Sequence, residues 1–300
     1  MFRKGIKEGM NLVWQEVMEI EGPYQFDRVI ERHAIDPLNQ VNLEKRWIKV
    51  PILIEEKRYV VDVGGLGTVE KPVFKLSGTD TNQKEKQIKR ISEIFQWDVS
   101  LKKINQHFQQ TDLRDLFQEH FGTPLVLDFD PYSCLTKCII HQQLNLSFAH
   151  TLTERFVKTF GSEMEGVWFY PSPQTVANIK VEQLRDMQFS GRKAEYVIGI
   201  GKAVAEGSLD LDTLTRKSEE EIFNKLIKIR GIGAWTIQNF LLFALGRPNL
   251  FPSTDIGIQN ALKKLYKIDR KPTLEEIEHY KLGWEPYLSY AALYLWRSIE

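Results

Sequence analysis

The chain has 300 residues, 42% of them hydrophobic, and its 40 basic and 40 acidic side chains give a formal net charge of +0. That supplies more than one packed core and an ordinary soluble composition. No apolar run approaches the roughly 20 residues needed to span a bilayer, and the start, MFRKGIKEGM, lacks the apolar stretch of a secretory signal. The 2 cysteines fit a cytoplasmic protein, and zero net charge requires any nucleic-acid binding to come from a local cationic patch.

The first third is predicted to be a small α+β unit. Asn11–Ile20 reads as a strand and Tyr24–His33 as a short amphipathic helix after the Gly22-Pro23 break. Trp47–Ile54 and Arg58–Val63 are rich in Val and Ile and suit paired strands; Lys71–Leu76 adds another after the Gly64-Gly65 turn. Asn82–Phe95 carries Ile88, Ile91 and Ile94 on one face and is expected to be helical. This order predicts an antiparallel sheet backed by helices in a domain covering residues 1–97.

Beyond Trp97 the alternating segments stop, and residues 98–300 are expected to form an all-helical domain. Helices are predicted over Leu101–Phe108, Leu113–Phe121, Tyr132–Leu144, Ser147–Phe160, Lys193–Glu206, Ser218–Ile229 and Thr236–Leu245. Ile256–Tyr266, Thr273–Tyr280 and Pro286–Ile299 complete the series, with Gly122, Gly161, Pro171, Gly191, Gly246 and Pro252 as punctuation. Cys134, Cys138 and His141 would share one helix side as potential ligands, but free cysteines of this kind are usually plain buried thiols.

Two stretches carry chemistry. In Leu226-Ile-Lys-Ile-Arg-Gly-Ile-Gly-Ala-Trp-Thr236 one helix ends, Gly231-Ile232-Gly233 turns tightly, and a second helix begins. Amides at such a hairpin and helix start form an anion site that suits a phosphate without reading a base. Taken alone, the Gly-x-Gly is equally compatible with an ordinary helix–helix turn. In Gly246-Arg-Pro-Asn-Leu-Phe-Pro-Ser-Thr-Asp255, Gly246 and Pro248 stop a helix and Ser253 or Thr254 can cap the next. Asp255 then falls in a helix first turn, where the macrodipole favours its charge. An isolated Asp there is more often simply a helix-start residue.

Together these residues resemble the helix-hairpin-helix DNA glycosylase superfamily, whose signature is the hairpin, a Gly-Pro-rich loop and an Asp some twenty residues on. Ile139-Ile-His-Gln-Gln-Leu144 is similar to the family's Gln-containing turn, Phe169-Tyr-Pro-Ser-Pro173 and Ser190-Gly-Arg-Lys-Ala194 to the segments feeding its later helices, and Trp284-Glu-Pro-Tyr-Leu-Ser-Tyr-Ala291 to its closing motif. The likeness runs from Trp97 to the C-terminus, and the element order of the first domain resembles the bacterial DNA-3-methyladenine glycosylase II branch. The resemblance implies a monomeric base-excision enzyme on double-stranded DNA, releasing alkylated purines, with Asp255 as the catalytic carboxylate. It implies a substrate pocket of Trp235, Trp296 and Asn239, and DNA contacts from Gln142, Gln143, Leu144, Gly231, Gly233, Ala234, Thr236, Arg192 and Lys193, with Lys225 and Lys228 adding charge. Gln143 or Leu144 would fill the gap left by the extruded base. No cofactor is required; backbone carbonyls of Ile227, Ile229 and Ile232 would hold a Na or K ion at the hairpin.

Trp235 stands where bifunctional members carry a lysine, and an indole cannot form a Schiff base. Iron–sulfur relatives need four cysteines. Arg230, Leu288 and Asn239 depart from the common Pro, Arg and aromatic residues, and Asn239 leaves the lesion range open. A non-catalytic DNA-binding hairpin protein and an oxidised-base glycosylase remain alternative readings.

Overall fold

The computed structural model describes residues 13–299. The strands are β1 (Val13–Glu19), β2 (Gln40–Asn42), β3 (Trp47–Ile54), β4 (Lys57–Gly65), β5 (Val73–Thr79), β6 (Ser162–Met164) and β7 (Val167–Phe169). The helices of the first half are α1 (Phe26–Ala34), α2 (Lys84–Phe95), α3 (Leu101–Phe108), α4 (Arg114–Glu119), α5 (Pro131–His141) and α6 (Leu146–Phe160). They continue as α7 (Pro173–Ala177), α8 (Val181–Asp186), α9 (Gly191–Ala205), α10 (Leu211–Leu214), α11 (Glu219–Leu226) and α12 (Ala234–Phe243). The chain closes with α13 (Ile256–Leu265), α14 (Leu274–Lys281) and α15 (Leu288–Arg297). Asn11 and Leu12, expected to open the first strand, lie outside the described residues.

The first five strands form an antiparallel sheet in the order β1-β5-β4-β3-β2. Alternation explains its inner face: Ile48, Val50 and Ile52 of β3 are buried while Lys49 and Pro51 between them are less so. Strand β3 pairs with β4 from Trp47↔Gly64 to Ile54↔Lys57, so the hairpin places Val61 and Val63 on the same inner layer. The antiparallel sheet and the helical hairpin region are as the sequence predicts. Short elements add to that expectation: β2, the three-residue β6 and β7, and helices α7, α8 and α10. None of the described strands falls between Gly231 and Asp255.

Packing does not divide where the strands first stop. Trp97 stacks on Phe74 with ring centroids 4.6 Å apart. One core joins the sheet to α1–α4 and then, across the chain, to α13–α15. A second core is built from α5–α12. The β6–β7 hairpin ties the two, since Val167 and Phe169 are buried against Val60 of β4. Between the cores lies a cavity of about 810 Å³, within the size range of small-molecule sites.

Candidate active site and nucleic-acid interface

Helix α12 ends the hairpin. Gly231 adopts φ +92°, and a Cβ there would lie 2.2 Å from Tyr196 Cγ of α9, so only glycine fits. The turn closes through the Ile232 amide donating to the Ile229 carbonyl at 3.0 Å. Gly233 is the N-cap of α12 with no side-chain cap, and nothing lies within 4 Å of a Cβ built on it. Gly233, Ala234 and Trp235 are exposed, so this helix start faces solvent with its amides uncapped.

The hairpin is braced from behind by three of the residues expected to contact DNA. Helix α5 stops at His141, three residues before the expected end, because Gln143 takes φ +56° and turns the chain. Gln142 Nε2 donates to the Gly231 carbonyl at 2.9 Å and to Thr236 Oγ1 at 2.7 Å. Its amide is spent on the hairpin, and Thr236, 1% exposed, lies beneath the surface. Lys193 Nζ donates to the carbonyls of Ile140 and Gln142, closing the end of α5; burial lowers its pKa to about 8. These three side chains support the interface from within. Gln143 and Arg192 are exposed, and Leu144 is half-buried in the cavity wall. Arg230 pairs with Glu195 at 2.9 Å beside the Tyr196 ring, which accounts for a charge where proline is common.

Asp255 is not inside the first turn of its helix but is itself the N-cap of α13. Its Oδ1 accepts from the Ile258 amide at 3.0 Å and from Trp296 Nε1 at 2.9 Å. One donor from its own helix and another 41 residues further along the chain thus fix one oxygen. Gly257 makes this possible: a Cβ there would lie 3.0 Å from Asp255 Oδ1 and 3.1 Å from Trp296 Cδ1. Ser289, fully buried on α15, ties down the loop before Asp255 by donating to the Arg247 carbonyl (2.5 Å) and accepting from the Leu250 amide (3.0 Å). Leu288 beside it is core, 4% exposed, which accommodates an apolar residue where arginine is common.

Trp235, Asn239 and Phe243 follow at intervals of four along α12 and line one side of the cavity. Trp235 is 41% exposed at the mouth. Asn239 donates to the Trp235 carbonyl at 2.9 Å, so part of its polarity is spent within its own helix. Trp296, expected in the pocket, is not among the residues lining this cavity. It stands behind Phe243, ring centroids 6.1 Å apart, with its N–H turned to Asp255. Arg32 lies over the Phe243 ring, 4.3 Å from the centroid.

The far wall holds charge that the sequence reading did not single out. Lys137 Nζ meets Asp128 Oδ1 at 2.5 Å. Burial works against both ions, yet Lys137 and Arg32 hold Asp128 at a pKa of about 2. The Asp128 charge keeps the Lys137 pKa raised against the same burial. His33 and His141 are driven down to about 3, chiefly by burial, then by Arg32 and Lys137 respectively. Cys134 and Cys138 are buried free thiols; the hydrogen bond between them and burial push the Cys134 pKa up. Among the described residues no group of three His, Cys, Asp or Glu is placed to hold a metal.

Residues 136–286 match the model of the HhH-GPD superfamily base excision DNA repair proteins. The chain belongs to that family. A Bacillus subtilis protein named "Putative DNA-3-methyladenine glycosylase YfjP" is 53% identical over 96% of this chain and 100% of its own. A B. subtilis DNA-3-methyladenine glycosylase is 31% identical over 86% of this chain and 88% of its own. The solved 3-methyladenine DNA-glycosylase of Archaeoglobus fulgidus shares the fold, with a TM-score of 0.81 at 22% identity over 94% of this chain and 97% of that one.

Proposed function

We propose that this chain is a monofunctional DNA glycosylase that hydrolyses the N-glycosidic bond of alkylated purines such as 3-methyladenine and 7-methylguanine. The observation that carries the reading is the Asp255 carboxylate, held by its own helix start and by Nε1 of Trp296, whose ring packs on the cavity-wall residue Phe243. Departure of a base leaves positive charge on the sugar, and a fixed carboxylate stabilises that charge more in the transition state than before it. Family membership and the names of the two B. subtilis relatives support the substrate class.

Hydrolysis without strand cleavage follows from the amines present. Trp235 occupies the position of the family's Schiff-base lysine, and the one lysine in the cavity wall among the described residues, Lys137, is held protonated by Asp128. A cationic purine would stack on the exposed indole of Trp235. The protein acts as a monomer on damaged double-stranded DNA in the cytoplasm, with a phosphate at the open start of α12 and Gln143 or Leu144 in the vacated stack. Carbonyls of Ile227, Ile229 and Ile232 offer the hard oxygen ligands a Na or K ion takes; Ile229 already accepts one hydrogen bond and keeps a second lone pair. DNA alkylated with a methylating agent tests the reading: free methylated purines should appear while strands stay intact until alkali is added. An adduct trapped by borohydride, or no release from any alkylated base, overturns it.

A further inference from the structure

The Asp128–Lys137 pair is an unusual lining for a pocket that must accept an uncharged or singly charged base. Both side chains lie deep inside the protein, yet 13% of Asp128 and 24% of Lys137 remain accessible. Both line the cavity, so that surface is presented to whatever fills it. A pair needed only for packing would be covered, because accessible area inside a cavity lacks both protein contacts and bulk water. The position is also right. The Asp128 amide donates to the Phe243 carbonyl at 2.7 Å, so the pair adjoins the inner end of the Trp235–Asn239–Phe243 face. Arg32, whose charge acts on Asp128, sits over the same Phe243 ring.

The charged pair selects the kind of ligand. Asp128 and Asp36 are set against Lys137 and Arg32, with Glu56, Asp130 and Arg58 also lining the cavity, while His33 and His141 are neutral. The paired ions offer an acceptor and a donor side by side. Lys137 spends one ammonium hydrogen on Asp128 and has two more to give. His33 and Tyr170 also line the cavity, and His33 Nε2 and the Tyr170 hydroxyl have no hydrogen-bond partner. Unsatisfied polar groups clustered on one cavity call for an occupant that hydrogen-bonds.

We propose that the Asp128–Lys137 pair reads the hydrogen-bonding edge of the extruded purine. The carboxylate accepts from a ring or amino N–H and the ammonium donates to the adjacent ring nitrogen or carbonyl oxygen. 7-Methylguanine (N1–H beside O6) and 3-methyladenine (N6–H beside N1) both present such an edge. A purine whose edge is closed by a further substituent does not. The pair therefore determines specificity, whereas Asp255 and Trp235 deal with the charge of the leaving base. This inference rests on the glycosylase reading above.

The test begins with the wild-type chain and free bases as competitors of 7-methylguanine release from DNA. Free 7-methylguanine should inhibit, and 1,7-dimethylguanine, which lacks N1–H, should inhibit roughly tenfold less well or worse, because a site built to hydrogen-bond rejects an analogue without the group. Equal inhibition by the two, or inhibition by neither, overturns the proposal. A wild type that releases no alkylated base at all instead defeats the glycosylase reading. Asp128→Asn and Lys137→Met should then slow single-turnover release of 7-methylguanine about tenfold while changing that of edge-blocked 1,N6-ethenoadenine less than about threefold. Equal slowing of both bases would show a purely structural pair. Tyr170→Phe removes an unpartnered hydroxyl; the midpoint should hold and competition by 7-methylguanine should weaken, and an unchanged inhibition constant would count against the site.

Discussion

Two helix starts in this molecule are finished in opposite ways. The start of α13 is capped by Asp255, whose oxygen is taken up by the Ile258 amide and Trp296 Nε1. The start of α12 is capped by Gly233, with no side chain and open space where a Cβ would stand. Both ends carry the same partial positive charge and the same uncapped amides by nature. One supplies its own anion and so fixes a carboxylate; the other leaves its amides for an anion from outside. Identical backbone physics thus serves chemistry at one end and grip at the other, and the cap residue decides which.

The largest break in that comparison comes from neutralising the internal anion. Asn caps a helix as well as Asp, so Asp255→Asn should fold normally and bind DNA at least as tightly. Loss of the transition-state charge interaction should lower single-turnover release by roughly 10²–10³-fold or more. Retained turnover would mean that another group carries the chemistry. Next come changes that leave the carboxylate but move it. Gly257→Ala puts a methyl 3.0 Å from Oδ1, and Trp296→Phe removes the indole donor. Each should cost about tenfold in the rate of release, the usual order for a displaced or less oriented group, with little change in DNA affinity measured on an uncleavable duplex.

The converse experiment makes the two ends alike. Gly233→Asp gives α12 the cap that α13 has. Open space at the site means no clash, and a side-chain cap in place of glycine should raise stability by about 0.2–0.5 kcal/mol. The same carboxylate would occupy the amides and repel phosphate, so DNA affinity at low salt should fall several-fold to about tenfold. Unchanged affinity would show that the strand's backbone does not reach this helix end.

How much of this was legible depended on length and on distance along the chain. β3, β4, α2, α3 and α9 announced themselves through sustained periodicity. The β6–β7 hairpin did not, because three-residue strands give no alternation; its signal was the Glu165-Gly166 pair, both at positive φ (+51° and +82°), a two-residue turn suited to hairpins. Gln143 is the same lesson at a helix end: nothing in Ile-Ile-His-Gln-Gln-Leu says which residue turns left-handed. Asp255 stood out through its loop, but that Trp296 would serve its carboxylate depended on a contact between residues 41 apart. Gly257, two residues past the carboxylate, was a readable hint of close approach. The Asp128–Lys137 pair was not readable, since charged residues on either side of a helix start are ordinary.

The smallest predicted effect concerns the brace that holds the open helix end. Gln142 Nε2 bonds both Gly231 O and Thr236 Oγ1, joining the turn after α5 to each side of the hairpin. Gln142→Leu keeps the bulk and removes both bonds, at about 0.5–1.5 kcal/mol each, with the Gly231 carbonyl left to find water. The unfolding midpoint should fall by a few degrees in a protein of this size. Lys193 still closes the end of α5 on the carbonyls of Ile140 and Gln142, so the turn itself should persist. DNA affinity should therefore weaken only about twofold to threefold, less than in Gly233→Asp, because the amides of α12 remain in place and only their orientation loosens. Calorimetry and a filter-binding titration on the two variants separate the effects. An affinity loss in Gln142→Leu as large as in Gly233→Asp would mean that hairpin rigidity, and not the vacancy of the Gly233 cap, makes this end of the molecule an anion site.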